Sequence, residues 1–67
     1  MKDVSEYTLE EIKELDKRWL DGAELWELKN CNDNVINCET LSYNKEFCYK
    51  TEKVNLIDGT YITVTLD

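Results

Sequence analysis

In the last third of the chain the apolar residues Val54, Leu56, Ile62, Val64 and Leu66 all occupy even positions, with Asp58-Gly59 between the two groups. No other feature constrains the fold as tightly. Side chains alternate along a strand, and directly opposed residues of an antiparallel pair share one face. An odd number of loop residues must therefore separate the two strands if both apolar sets face the same core. A two-residue Asp58-Gly59 turn would put Val54 and Ile62 on opposite sides. The spacing predicts a three-residue loop, Ile57-Asp58-Gly59, with Gly59 in the left-handed conformation.

The same parity extends backward. Trp26, Leu28, Ile36 and Cys38 are even, and the turn-forming run Cys31-Asn32-Asp33-Asn34 divides them into two groups. Cys48 follows in phase after a turn near Asn44-Lys45. Lys50 and Glu52 fall on the same parity and interrupt the apolar pattern, which predicts a bulge, bend or strand break near Thr51.

Ahead of the strands, Tyr7-Thr8-Leu9-Glu10-Glu11-Ile12 carries the marks of a helix start. Thr8 and Glu11 have capping-box spacing, and Tyr7 and Ile12 can close as a hydrophobic staple. Leu9, Ile12, Leu15, Trp19 and Ala23 recur at spacings of three and four, which predicts one apolar stripe. Glu14 with Arg18, and Lys17 with Asp21, are spaced to pair across a turn. Asp21-Gly22 supplies a stop signal.

These readings give an α+β domain spanning 1–67, with residues 1–6 flexible and one N-terminal amphipathic helix on a four-stranded antiparallel β-meander. An alternative is two helices followed by a three-stranded sheet. Residues 23–30, AELWELKN, are good helix formers without a β-branched residue, and Trp19, Ala23 and Trp26 continue a helical spacing.

Fifteen acidic residues stand against eight basic ones, a net charge of −7. Phosphate backbones and anionic lipid repel such a chain, so the expected partner is a protein with a basic surface, with no direct nucleic acid and no membrane. The polar, acidic start and the odd number of cysteines predict a cytoplasmic, disulfide-free protein. Lys outnumbers Arg seven to one, and Pro and His are absent. That usage matches AT-rich coding and points to a low-GC bacterium or its phage.

Catalysis is not expected. The chain has no His for proton transfer near neutral pH and no Gly-rich phosphate loop. Cys31, Cys38 and Cys48 lack metal-ligand spacing and read as buried thiols; neither cofactor nor metal is predicted. Two candidate surfaces remain. Asp21, Glu24, Glu27 and Asp33 form an acidic set with fewer helix-internal roles than Glu10 and Glu11. Tyr43, Phe47, Tyr49 and Tyr61 share the odd parity and would lie on the sheet face that the helix leaves open, an aromatic patch suited to a partner or a homodimer. The dimer would form through that face or along the last strand. The resulting expectation is a non-enzymatic acidic inhibitor or regulator, phage or mobile-element encoded, that imitates nucleic acid to a defence protein in the manner of anti-CRISPR or anti-restriction proteins. The alternative is a small-molecule-binding or sensing module acting as a homodimer.

Overall fold

The computed structural model describes residues 3–66. A single 3-10 turn, Val4–Glu6, precedes helix α1 (Leu9–Lys13), strand β1 (Arg18–Leu20) and helix α2 (Gly22–Cys31). Strands β2 (Val35–Asn44), β3 (Tyr49–Leu56) and β4 (Tyr61–Leu66) come after them. The sheet order is β1-β4-β3-β2, antiparallel except that β1 runs parallel to β4.

In the β3–β4 hairpin the parity holds. Val54 lies opposite Ile62, and residues 57–59 form the loop, with Gly59 at φ 88°. Its N–H donates to the Leu56 carbonyl (3.2 Å), and Leu56 N–H donates to the Thr60 carbonyl (2.9 Å). Val54, Leu56, Ile62, Val64 and Leu66 are all buried on one face. From the other side Val4, Ile12, Leu25 and Leu28 join the same core.

The expected antiparallel meander is corrected to a mixed sheet, and the single long helix to two short ones. The Thr8–Glu11 capping box forms as the sequence predicts. Helix α1 then stops at Lys13, far short of Gly22. Lys17 takes a left-handed conformation (φ 64°) and its N–H donates to the Thr63 carbonyl (2.6 Å). The Asp16 carboxylate accepts from the Thr63 N–H (2.9 Å). Continuing the helix would leave the outer edge of β4 without backbone partners, and those groups are costly to bury unpaired. The chain instead turns out of the helix and pairs with that edge. Trp19, assigned by its spacing to the buried stripe, is 60% exposed, and Ala23 is exposed too. Neither Glu14–Arg18 nor Lys17–Asp21 forms an ion pair among the described residues.

Asp21-Gly22 starts a helix and does not stop one. Asp21 accepts from the Glu24 N–H (2.7 Å) and Glu24 reaches back to the Asp21 N–H (3.5 Å), a second capping box. Residues 23–30 are therefore helical, as the alternative held. Leu25 and Leu28 are buried, while Trp26 is 61% exposed.

Strand β3 keeps its phase through Lys50 and Glu52, so the irregularity expected near Thr51 lies on its neighbour. Thr40 pairs with Glu52 and Ser42 with Thr51, which leaves Leu41 as an extra residue on β2. Ile36 is a second extra residue, between Val35 opposite Leu56 and Asn37 opposite Asn55. Across each bulge the parity of the strand reverses. Val35 thus occupies the buried position predicted for Ile36, and Ile36 is exposed.

Candidate functional site

Two surfaces stand out on this frame, an acidic side built by the helices and an open face of the sheet. Of the acidic set, Asp21 and Glu24 answer each other's backbone N–H groups at the start of α2. Glu27 is half-buried on α2, and Asp33 is exposed in the turn beyond it. A ten-residue helix rises about 15 Å, so the four carboxylates are strung along its length rather than gathered at one point.

Every ion pair recorded among the described residues takes its acid from the sheet half. Lys13 meets Asp58 at 2.6 Å, Lys50 meets Glu52 at 3.3 Å, and Lys53 meets Glu39 at 4.0 Å. Glu6, Glu10, Glu14, Glu27 and Asp33 take part in none of these. These five carboxylates of the helical half thus have no ion-pair partner among the described residues.

The aromatic set divides. The Leu41 bulge turns Tyr43 to the helix side, opposite Lys50, while Tyr49 lies opposite Asn44 on the outer face. Tyr61 is on the outer face at the far end of β3, beside Asn55, with the Lys53 ammonium 4.6 Å from its ring centroid. Tyr49 and Phe47 stack at 6.4 Å. Trp19, opposite Thr65 on β1, meets Tyr49 edge-on at 5.8 Å. The outer face thus has a three-ring corner, Trp19–Tyr49–Phe47, and Trp19 is the residue that sequence reasoning missed. Its helical spacing hid it, and no local signal marks it as a strand residue. The last strand is also corrected as a dimer edge: β4 is flanked by β1 and β3, so both its sides are occupied.

On the helix side Glu52 is 6% exposed, accepts from the Thr40 hydroxyl (3.0 Å) and pairs with Lys50. Half-buried Cys38 is nearby; burial raises its thiol pKa, Lys29 opposes the rise and Glu52 adds to it. A raised thiol holds little thiolate and is a poor nucleophile. Cys31 and Cys48 are exposed, contrary to the expectation of buried thiols. Asp58 accepts from Lys13 and from the Thr60 N–H and hydroxyl, and these bonds hold its carboxyl far below the usual range. The hollows are shallow. One lies at the β2–β3 turn, and another is lined by Tyr7, Glu11, Glu14, Leu15 and Arg18. Among the described residues no three Cys, Asp or Glu side chains gather as a metal site requires, and no helix is long and apolar enough to cross a membrane.

No family model, no curated protein and no solved structure matches the chain.

Proposed function

We propose that the protein is a non-enzymatic acidic interaction module that occupies a basic surface on a nucleic-acid-handling protein and so keeps nucleic acid from it. The observation that carries this reading is the segregation of charge. The recorded ion pairs draw their acids from residues 39–58, while Glu6, Glu10, Glu14, Glu27 and Asp33 on the helical side pair with no cation among the described residues. Carboxylates spaced over a helical surface resemble a row of phosphates to a groove lined with Lys and Arg, and they steer a cationic partner into fast encounter. Setting Asp21 and Glu24 into a capping box narrows the set but does not remove it, because a capping carboxylate keeps its charge.

The proposed role, an inhibitor of a defence or restriction protein carried by a phage or mobile element, rests on size, charge and codon-related composition. It is tested with a charge-reversed variant, Glu10→Lys/Glu14→Lys/Glu27→Lys/Asp33→Lys, compared with the wild type in quantitative capture from a low-GC bacterial extract. A nucleic-acid-handling protein should be retained by the wild type at about 0.1 M salt. It should be lost at about 1 M, where the screening length falls from about 10 Å to about 3 Å. It should also be lost with the variant at either salt, and its nucleic-acid binding should fall when the wild type is added. Capture that ignores both salt and charge reversal sinks the reading.

A further inference from the structure

The outer sheet face differs from the rest of the molecule in charge. Beyond its rings it holds threonine, serine and asparagine side chains and one cation–anion pair, Lys53 with Glu39 at 4.0 Å. At its margin the Asp16 carboxylate is occupied by the Thr63 N–H and hydroxyl. Against a chain net charge of −7, this face and its margin carry one cation, Lys53, and two carboxylates, Glu39 and Asp16. The rings stand at opposite ends of it, Trp19–Tyr49–Phe47 at one and Tyr61 at the other, with Trp19, Phe47 and Tyr61 all more than half exposed.

We propose that this face is the interface of a homodimer, with the sheets of two copies packed face to face. Charge selects the occupant. Two copies meeting by their helical sides would bring carboxylates together, and like charges at close range cost several kcal/mol. The sheet face, with few charges among the described residues, lets a strongly acidic chain approach itself at a smaller penalty. A two-fold axis lying across the strands sets the Tyr61 end of one copy over the Trp19–Tyr49 corner of its partner, twice over.

Area sets the strength. Strands rise about 3.4 Å per residue and lie about 4.8 Å apart, so the four strands present a projected face of about 440 Å². Counted on both copies this is about 880 Å² before the protruding rings are added, below the roughly 1,200–2,000 Å² of stable specific interfaces and in the range of weak, transient ones. The dimer therefore dissociates on dilution, and it leaves the acidic helical sides pointing outward in both copies. It goes beyond the proposed function and does not depend on it.

Sedimentation and light scattering across the micromolar range test it. The wild type should approach twice its 7.9 kDa chain mass and fall towards one chain mass on dilution. Phe47→Lys, in an exposed loop that the core does not need, and Thr51→Lys, at the centre of the face, should each hold the chain at 7.9 kDa. Trp26→Lys, an equally exposed ring on α2, should leave the dimer intact. Circular dichroism and melting curves establish that each variant is folded. A wild type that stays at one chain mass throughout overturns the proposal and leaves the face to a different protein. A dimer split by Trp26→Lys and untouched by Phe47→Lys and Thr51→Lys overturns it as well.

Discussion

Asn32 holds two distant segments of the fold together, and its position in a turn-rich run gives no hint of it. The side chain is buried, with Nδ2 donating to the Val4 carbonyl (2.8 Å) and the Tyr7 carbonyl (3.0 Å). Its Oδ1 accepts from the Asn34 N–H (2.9 Å), and Asn34 in turn donates to the Tyr7 carbonyl (3.1 Å). One amide thereby ties the segment before α1 to the exit of α2. A truncated side chain would strand the Asn34 N–H and leave the Val4 carbonyl with the Tyr7 N–H (3.3 Å) as its remaining donor, and a buried polar group left unpaired costs about 1–3 kcal/mol. Asn32→Ala should therefore lower stability by about 2–3 kcal/mol in urea titration. A loss under about 1 kcal/mol would show that water replaces these bonds and that the amide does not hold the segment.

The elements changed most where a local signal had two meanings. Asp-Gly after an apolar stripe reads as a helix stop, yet Asp is also a preferred N-cap, and here it caps the following helix. The two readings make opposite predictions for Gly22. A glycine holding a left-handed stop resists a Cβ, whereas a glycine at the first position of a helix gains from one. Gly22 has no positive φ, and an added Cβ would meet nothing within 4 Å. Gly22→Ala should therefore raise the melting temperature, by the equivalent of about 0.4–1 kcal/mol, through a less flexible unfolded chain. Gly59, at φ 88°, should respond in the opposite direction to the same substitution. Equal signs at the two glycines would contradict the assignment of α2.

At the scale of the whole molecule, stability rests on a thin core and on contacts between distant parts of the chain. At about 0.05–0.15 kcal/mol per residue, a chain of this length is stable by about 3–10 kcal/mol. The Lys13–Asp58 pair joins α1 to the β3–β4 loop across 45 residues of sequence. Because the folded carboxyl of Asp58 titrates well below its unfolded value of about 3.9, the charged form favours the folded state. That contribution is complete above the unfolded value and is lost as the pH falls below it towards the folded one. Stability should accordingly decline on acidification from about pH 5 to pH 2, and Asp58→Asn should flatten part of that decline. Denaturant titrations at several pH values read the slope. An unchanged slope in the variant would mean that other carboxylates carry the acid sensitivity.

The sequence by itself determined what short-range chemistry controls. The Thr8–Glu11 cap, the three-residue Ile57-Asp58-Gly59 loop and the shared burial of Val54, Leu56, Ile62, Val64 and Leu66 all come from spacing, because strand alternation and capping distances are local geometry. The acidic balance that motivates the proposed partner is equally a property of the sequence. Tertiary structure alone decided the rest. Whether 18–20 is helix or strand depends on the open edge of β4, more than forty residues away, which offers backbone partners that the helix would forgo. Parity survives only until a bulge, and no glycine or turn-forming residue marks the extra positions, Ile36 and Leu41, where β2 pairs with β3. Those two outcomes moved Trp19 onto the outer face and Tyr43 off it. The composition of the candidate interface was therefore fixed by long-range pairing, to which no local pattern in the sequence is sensitive.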